Sequence, residues 1–412
     1  MTGETAMQFN RDQFMEEGYL VLREVIPPAE LEDLRAGYER MVDRQRGLWA
    51  SERNPDDPPG GVWETGAQPR LMLHRPPLVD LIDKATANTA EIWLHENTQG
   101  VSTQLMGEPD AAVTEMMMMC SPVRDRGPAV WHRDIHPVDT APLQAYIDDI
   151  IENGPRYVQW NIPLYDDSVL WVVPGSHIRI NTEEENRQLL ADPRVPLPGS
   201  VQTHLNGGDG VVYITPILHW GSNYSAKMRR TIHGGFCNFT KYEDLSYTKS
   251  LSAEAQATLE RWDKRSKRMQ THTESALRAA IEKDSSAYHT ALNEIHPGRG
   301  EKGKMLTTIF LCKAAFFINL HNNPDLEDGP EDLRRRGTSA HPTTLNWGPE
   351  FADRFTPQDA ETLWERFKPL DAKLQRDEEH FFPGFQSGPM RYCFNETPAD
   401  FGVEEFIASW EN

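Results

Sequence analysis

Between Val113 and Asn238 the chain breaks into short β-rich runs, and no other feature restricts its fold as much. The runs are "EMMMMCSP", "RYVQWNIPLYD", "LWVVPGSH", "GGDGVVYITPILHW" and "RRTIHGGFCNF". Their β-branched and aromatic residues suit a pleated, half-buried surface, and the Gly, Pro and Asp between them suit turns. Several short strands at this spacing predict a sandwich or a barrel.

The flanks read differently. "FNRDQFMEEGYLVLREVIPPAELEDLRAGYERMV" predicts a short helix, a turn at Gly18, a strand from Tyr19 to Leu22 and a second helix. Pro28 suits that helix's first turn, and Leu31, Leu34, Tyr38 and Met41 repeat on one face. The Pro- and Gly-rich "ERNPDDPPGGVW" predicts a surface loop or lid. After Thr240 a helical period returns, with Ala255, Leu259, Trp262, Ser266, Met269, Leu277 and Ile281 roughly on one face. "KMLTTIFLCKAAFFINL" is apolar all round and too short for a bilayer span, so it predicts a buried helix. The expected class is mainly β with helical additions: residues 1–240 as a β-rich domain with N-terminal helices, and 241–412 as a helical extension.

Charge narrows the partners. Lys and Arg number 42 against 63 Asp and Glu, and the net charge of -21 repels nucleic-acid backbones and anionic membrane surfaces. The start has neither a basic nor an apolar leader segment. Cys120, Cys237, Cys312 and Cys393 are far apart, with no CxxC. The expectation is a cytoplasmic protein with free thiols and no nucleic-acid or membrane partner.

"AVWHRDIHPVD" puts His132, Asp134 and His136 at alternate positions. On a strand, neighbours two apart share a face about 6.5–7 Å apart at Cα, so two of them can meet one ion. The outer pair, about 13 Å apart, cannot. The pair is therefore His132 with Asp134 or Asp134 with His136, and the third ligand comes from elsewhere. His219, at the end of "GDGVVYITPILHW", is one candidate; His177 in "VVPGSH" and His233 in "RRTIHGGF" are others. Two imidazoles and one carboxylate are the donor set of non-haem Fe(II) oxygenases.

In order along the chain, "GYLVLREVIPPAELEDLR", "WHRD", "LWVVPGSH" and "GDGVVYITPILHWGSNYSAKMRRTI" resemble the phytanoyl-CoA dioxygenase family of Fe(II)/2-oxoglutarate oxygenases, which includes ectoine hydroxylase. The resemblance covers about residues 8–240. It implies a double-stranded β-helix, or jelly roll, with His132, Asp134 and His219 as the iron ligands and His136 as a pocket or turn residue. It also implies 2-oxoglutarate and O₂ as cosubstrates, with the distal carboxylate of 2-oxoglutarate held by Arg229 or Arg230. Counting from His219 favours Arg230. Anchoring on Asn223 and "RRTI" favours Arg229, with Thr231 and His233 on its face, and Arg229 is the choice because a loop deletion shifts a count while strand residues keep their facing. Asn161 matches the position that touches the cosubstrate, with strand-end bridging as its alternative role. Relatives that halogenate carry Gly or Ala where Asp134 stands, so Asp134 implies oxygen transfer to a small organic molecule; desaturation, epoxidation and cyclisation use the same residues.

Other residues carry lesser expectations. The "PGSH" turn, Pro174–His177, shapes the barrel. Met116–Met119 is read first as core packing, with half of it lining the pocket as the alternative. Trp131 and Arg133 point away from the metal on a regular strand, although Arg133 is long enough to curl over the cosubstrate. Arg124 and Arg126 are solvated loop charges. The tail is longer than the family's usual form, and the segment from His219 to the arginines is one residue shorter; "HFFPGF" suits a pocket cover, and the tail itself a lid, a substrate-selecting cap or a homo-oligomer interface.

Overall fold

The computed structural model describes residues 7–52, 55–56, 70–74, 78–107, 110–121, 127–134, 141–221, 228–238, 246–324, 341–376, 380–381, 389–390, 393–394 and 401–411. Most of "ERNPDDPPGGVW", with Arg124, Arg126, His136 and Asn223, lies outside them, as does most of "HFFPGF". The chain divides into two compact units. The first comprises 1–133, 155–177 and 181–263, and the second 134–154, 178–180 and 264–412.

The first unit follows the expected order at its start. Asn10 caps the helix Arg11–Glu17 by accepting from the Asp12 and Gln13 amides, and Gly18, at φ 83°, ends it in the left-handed conformation. Strand β1 (Tyr19–Leu22) follows at once, then the helix Pro28–Glu52, which buries Leu34, Tyr38 and Met41. The remaining strands are β2 (Arg70–Met72), β3 (Ala112–Cys120), β4 (Tyr157–Pro163), β5 (Trp171–Val172), β6 (Val201–Gln202), β7 (Gly210–Ile214), β8 (His219–Trp220) and β9 (Arg230–Cys237). They form two antiparallel sheets, β1-β7-β4-β9-β3-β2 and β6-β5-β8.

The register of the larger sheet sorts its side chains onto two faces, because successive residues of a strand alternate. One face carries Leu20, Val212, Trp160, Ile232, Phe236, Met116, Met118 and Leu71, all buried. It meets the helical segments: Trp160 donates its indole N–H to Ser102 at 2.9 Å, and Trp93 lies 5.8 Å from Phe236. The other face carries Tyr213, Gln159, Asn161, Thr231, His233, Met117 and Met119. At the β1–β7 end this face is closed by Val211 and Tyr213 packing with Leu170, Val172, Leu205 and Ile217. The methionine run is thus split as its alternation required, two on each face.

Two helices interrupt the β-rich band where none was expected, Leu143–Asn153 and Glu183–Ala191. The first belongs to the second unit. There Asp149, 1% exposed, accepts two hydrogen bonds from Arg299 (3.1 and 3.2 Å), and Tyr146 packs on Phe310. "KMLTTIFLCKAAFFINL" lies in the helix Glu301–Asn322, whose 22 residues make it longer than expected. At about 33 Å it is long enough to cross a bilayer, but it is buried among its neighbours, as an all-round apolar core helix is. Its one buried cation, Lys313, is paired with Asp371 of the helix Pro357–Leu374. Cys120, Cys237 and Cys312 are buried and in no disulfide, and burial pushes the Cys120 thiol up to about 12.

Candidate metal centre

The chain segment 127–134 runs antiparallel to β8. His132 and His219 exchange both backbone hydrogen bonds, each at 3.0 Å, and Ala129 N–H donates to Gly221 O at 2.9 Å. That pairing sets the two imidazoles side by side, with ring centroids 4.4 Å apart. Asp134, two residues on, points to the same side. The candidate ligand atoms of His132, Asp134 and His219 all lie within 4.8 Å of one another.

The imidazoles are held in the orientation a metal requires. His132 Nδ1 lies 2.8 Å from Val130 O, and His219 Nδ1 lies 3.0 Å from Ile217 O. A carbonyl can only accept, so each Nδ1 carries the proton and donates it, leaving each Nε2 lone pair for an ion. One carboxylate and two imidazoles fit Fe(II) with coordination positions to spare. Among the described residues this is the one group of three such side chains close enough to share an ion.

The residues between and beside the ligands face away. Trp131 stacks on Trp220 at 5.1 Å, with Trp171 edge-on to Trp220, in an apolar cluster with Val173, Leu189, Leu197 and Leu218. Arg133 is buried and donates to the Ser176 and Pro216 carbonyls, which fix its side chain among backbone acceptors.

His177 is not brought to the triad. Its Nε2 donates to Met15 O at 3.0 Å, and its ring fills the space above Gly18, where an added Cβ would lie 2.3 Å from Nδ1. Burial lowers its pKa to about 4, so the ring is neutral. His233 lies on β9 beside Asn161, with Nδ1 donating to Asn161 Oδ1 at 2.5 Å. Gln159 donates to the Tyr213 hydroxyl at 2.7 Å and lies 3.4 Å from His233 Nε2. The Tyr213 ring in turn stands 5.1 Å from that of His219. Asn161, Gln159 and His233 therefore form one buried polar strip on the sheet face that leads to the ligands.

The two arginines go to opposite faces. Arg229 Nε donates to Asp167 Oδ2 at 3.1 Å, and Thr231 Oγ1 donates to the same oxygen at 2.8 Å, so Arg229 shares the face of Thr231 and His233. Arg230 points to the helix-covered face, where its Nε donates to Glu39 at 2.8 Å. Asp167 carried no sequence signal: two adjacent aspartates in a turn, "LYDD", give no reason to prefer either. Gln159 and Tyr213 were legible only as alternating strand residues.

The family profile described as phytanoyl-CoA dioxygenase matches residues 14–231. No curated protein matches the chain. Similar solved structures include AviO1 from Streptomyces viridochromogenes, 20% identical over 55% of this chain and 92% of that one, with a TM-score of 0.37. EctD from S. alaskensis, solved with 2-oxoglutarate and 5-hydroxyectoine, is 16% identical over 57% and 78%, at 0.37. EvdO2 from Micromonospora carbonacea var. aurantiaca, solved with 2-oxoglutarate, is 16% identical over 57% and 92%, also at 0.37.

Proposed function

The chain belongs to the phytanoyl-CoA dioxygenase family, and from that premise we propose that it is an Fe(II)- and 2-oxoglutarate-dependent oxygenase that hydroxylates a small organic molecule. The observation that carries the reading is the His132, Asp134, His219 cluster with both Nε2 atoms presented by carbonyl-bound Nδ1–H groups. These three residues would hold the iron. Bound there with 2-oxoglutarate and O₂, it supplies an oxidising centre that puts oxygen on a substrate carbon while succinate and CO₂ leave. Two antiparallel sheets in the observed strand order support a double-stranded β-helix as the frame.

The chain's own residues do the binding. Arg229 is assigned the distal carboxylate of 2-oxoglutarate, because it lies with Thr231 on the ligand-side face and a guanidinium offers a planar fork to a carboxylate. Asn161, held by His233, is assigned to the cosubstrate on the same face. Met117 and Met119 give that face an adaptable apolar wall, suited to the body of an organic substrate. Asp134 fills the position that a halide needs, which favours oxygen transfer.

The test is anaerobic purification, metal analysis and titration with 2-oxoglutarate. One Fe(II) per chain, a visible charge-transfer band on adding 2-oxoglutarate, and succinate release on admitting air support the reading. A protein that holds zinc and does not bind 2-oxoglutarate refutes it. A substrate screen then reads the reaction: a mass gain of about 16 is hydroxylation or epoxidation and a loss of about 2 is desaturation or ring closure.

A further inference from the structure

We propose that Arg133 is a positioning residue that braces the two arms of the metal centre against one another through the Pro174–His177 turn. The proposal rests on the metal reading above and assigns a role to a motif that reading leaves unused.

The need for a brace follows from the backbone. Among the described residues the pairing of segment 127–134 with β8 ends at His132, which is locked to His219 by two hydrogen bonds. Asp134 stands beyond that last pair. It is joined to that pair through Arg133, whose anchoring contributes to its position relative to His219. Alternation sends the Arg133 side chain to the side opposite both ligands. There it is 2% exposed and finds acceptors on three separate stretches. Nη1 donates to Ser176 O at 2.6 Å and also to Pro216 O, while Nη2 donates to Asn181 Oδ1 at 2.7 Å. Pro216 lies three residues before His219 on the same run of chain.

Ser176 closes the connection. Its hydroxyl accepts from Leu218 N–H at 2.7 Å and donates to Val173 O at 2.7 Å, and Val173 N–H donates to Leu218 O at 2.9 Å. One guanidinium thus joins the residue between two ligands to the chain leading into the third, both directly and through the turn. Arginine suits this place because its donors are fixed in one plane and diverge, so a single side chain can satisfy carbonyls approaching from different directions. A lysine ammonium would keep the charge and lose that spread.

The experiment is Co(II) titration of the apo-protein, wild type against Arg133→Met, Arg133→Lys and Asn181→Ala, well below each variant's unfolding temperature. Cobalt reports both affinity and, through its visible spectrum, ligand geometry, without turnover. Loss of groups that orient metal ligands commonly weakens binding 10–100-fold. We expect Arg133→Met to weaken Co(II) binding at least tenfold and to change the spectrum of the bound ion. Arg133→Lys and Asn181→Ala should shift both in the same direction, by less. A purely stabilising role would lower the melting temperature and leave affinity and spectrum unmoved. If Arg133→Met does not fold, the other two decide, and wild-type affinity and spectrum in both overturn the brace. Wild-type protein that takes up no Co(II) overturns the metal reading together with the brace; normal uptake with unchanged variants overturns the brace alone.

Discussion

Replacing Arg229 and Arg230 one at a time separates two residues that are adjacent in sequence and opposite in space. Arg229→Ala removes the guanidinium assigned to 2-oxoglutarate and leaves the Asp167 carboxylate, 8% exposed, without that partner. The Arg229 side chain is itself only 11% exposed, so solvent screens little of the interaction. Truncating one member of a buried, hydrogen-bonded charge pair costs about 2–5 kcal/mol. Taking about 3 kcal/mol, at about 1.4 kcal/mol per tenfold, the dissociation constant for 2-oxoglutarate should rise about 100-fold. Arg230→Ala acts on the other face, where its partner Glu39 is 34% exposed. Arg230 itself is 6% exposed, so the loss should cost about 2 kcal/mol of stability, while 2-oxoglutarate binding changes less than about tenfold. The assay is equilibrium titration of anaerobic Fe(II)-loaded protein with 2-oxoglutarate, on material shown by circular dichroism to be folded. Arg229→Lys serves as control, since it keeps the charge without the planar fork and should recover part of the loss. If Arg230→Ala weakens binding more than Arg229→Ala, the face assignment of β9 is wrong. If neither does, the distal carboxylate is held elsewhere.

Three other outcomes are expected. His132→Ala and His219→Ala should each lose Fe(II) binding and turnover, and Asp134→Gly should lose hydroxylation; metal analysis after desalting and succinate release check this, and near wild-type hydroxylation in Asp134→Gly would sink the ligand assignment. Gly18→Ala should destabilise the fold by about 2 kcal/mol or more, because the residue has φ 83° and its new Cβ would meet the His177 ring at 2.3 Å; chemical denaturation measures it, and an unchanged midpoint contradicts the packing. For His177 the folded pKa of about 4 lies below the ordinary 6.5, so between those values the unfolded chain binds the proton and the folded one does not. Stability should therefore fall as pH drops from about 6.5 toward 4, by on the order of 3 kcal/mol from this residue, and His177→Gln should flatten that part of the unfolding profile.

Much of the first unit was legible because its signals are local. Asn10, Gly18 and Pro28 act on the backbone within a turn of themselves, and the helix, strand and helix they delimit stand where the chain alone predicts. Side-chain alternation is equally local. It limited the metal pair to two choices, sent Trp131 and Arg133 away from the ligands, and divided Met116–Met119 between two faces. Motifs in order along the chain supplied the rest of the candidate triad.

What the sequence could not hold is which face is which, and what stands opposite. His177, His219 and His233 are chemically alike, yet one donates to Met15 O under a glycine, one offers Nε2 beside His132, and one holds Asn161. Arg229 and Arg230 differ only in strand parity, and parity acquires meaning when a helix bearing Glu39 covers one side and Asp167 stands on the other. The helix Leu143–Asn153 was missed for the same reason: it sits between strands in the chain, and its buried Asp149 makes sense only beside Arg299, 150 residues away. Backbone preferences are set by near neighbours and can be read in order, whereas the environment of a side chain is assembled from segments that only folding brings together.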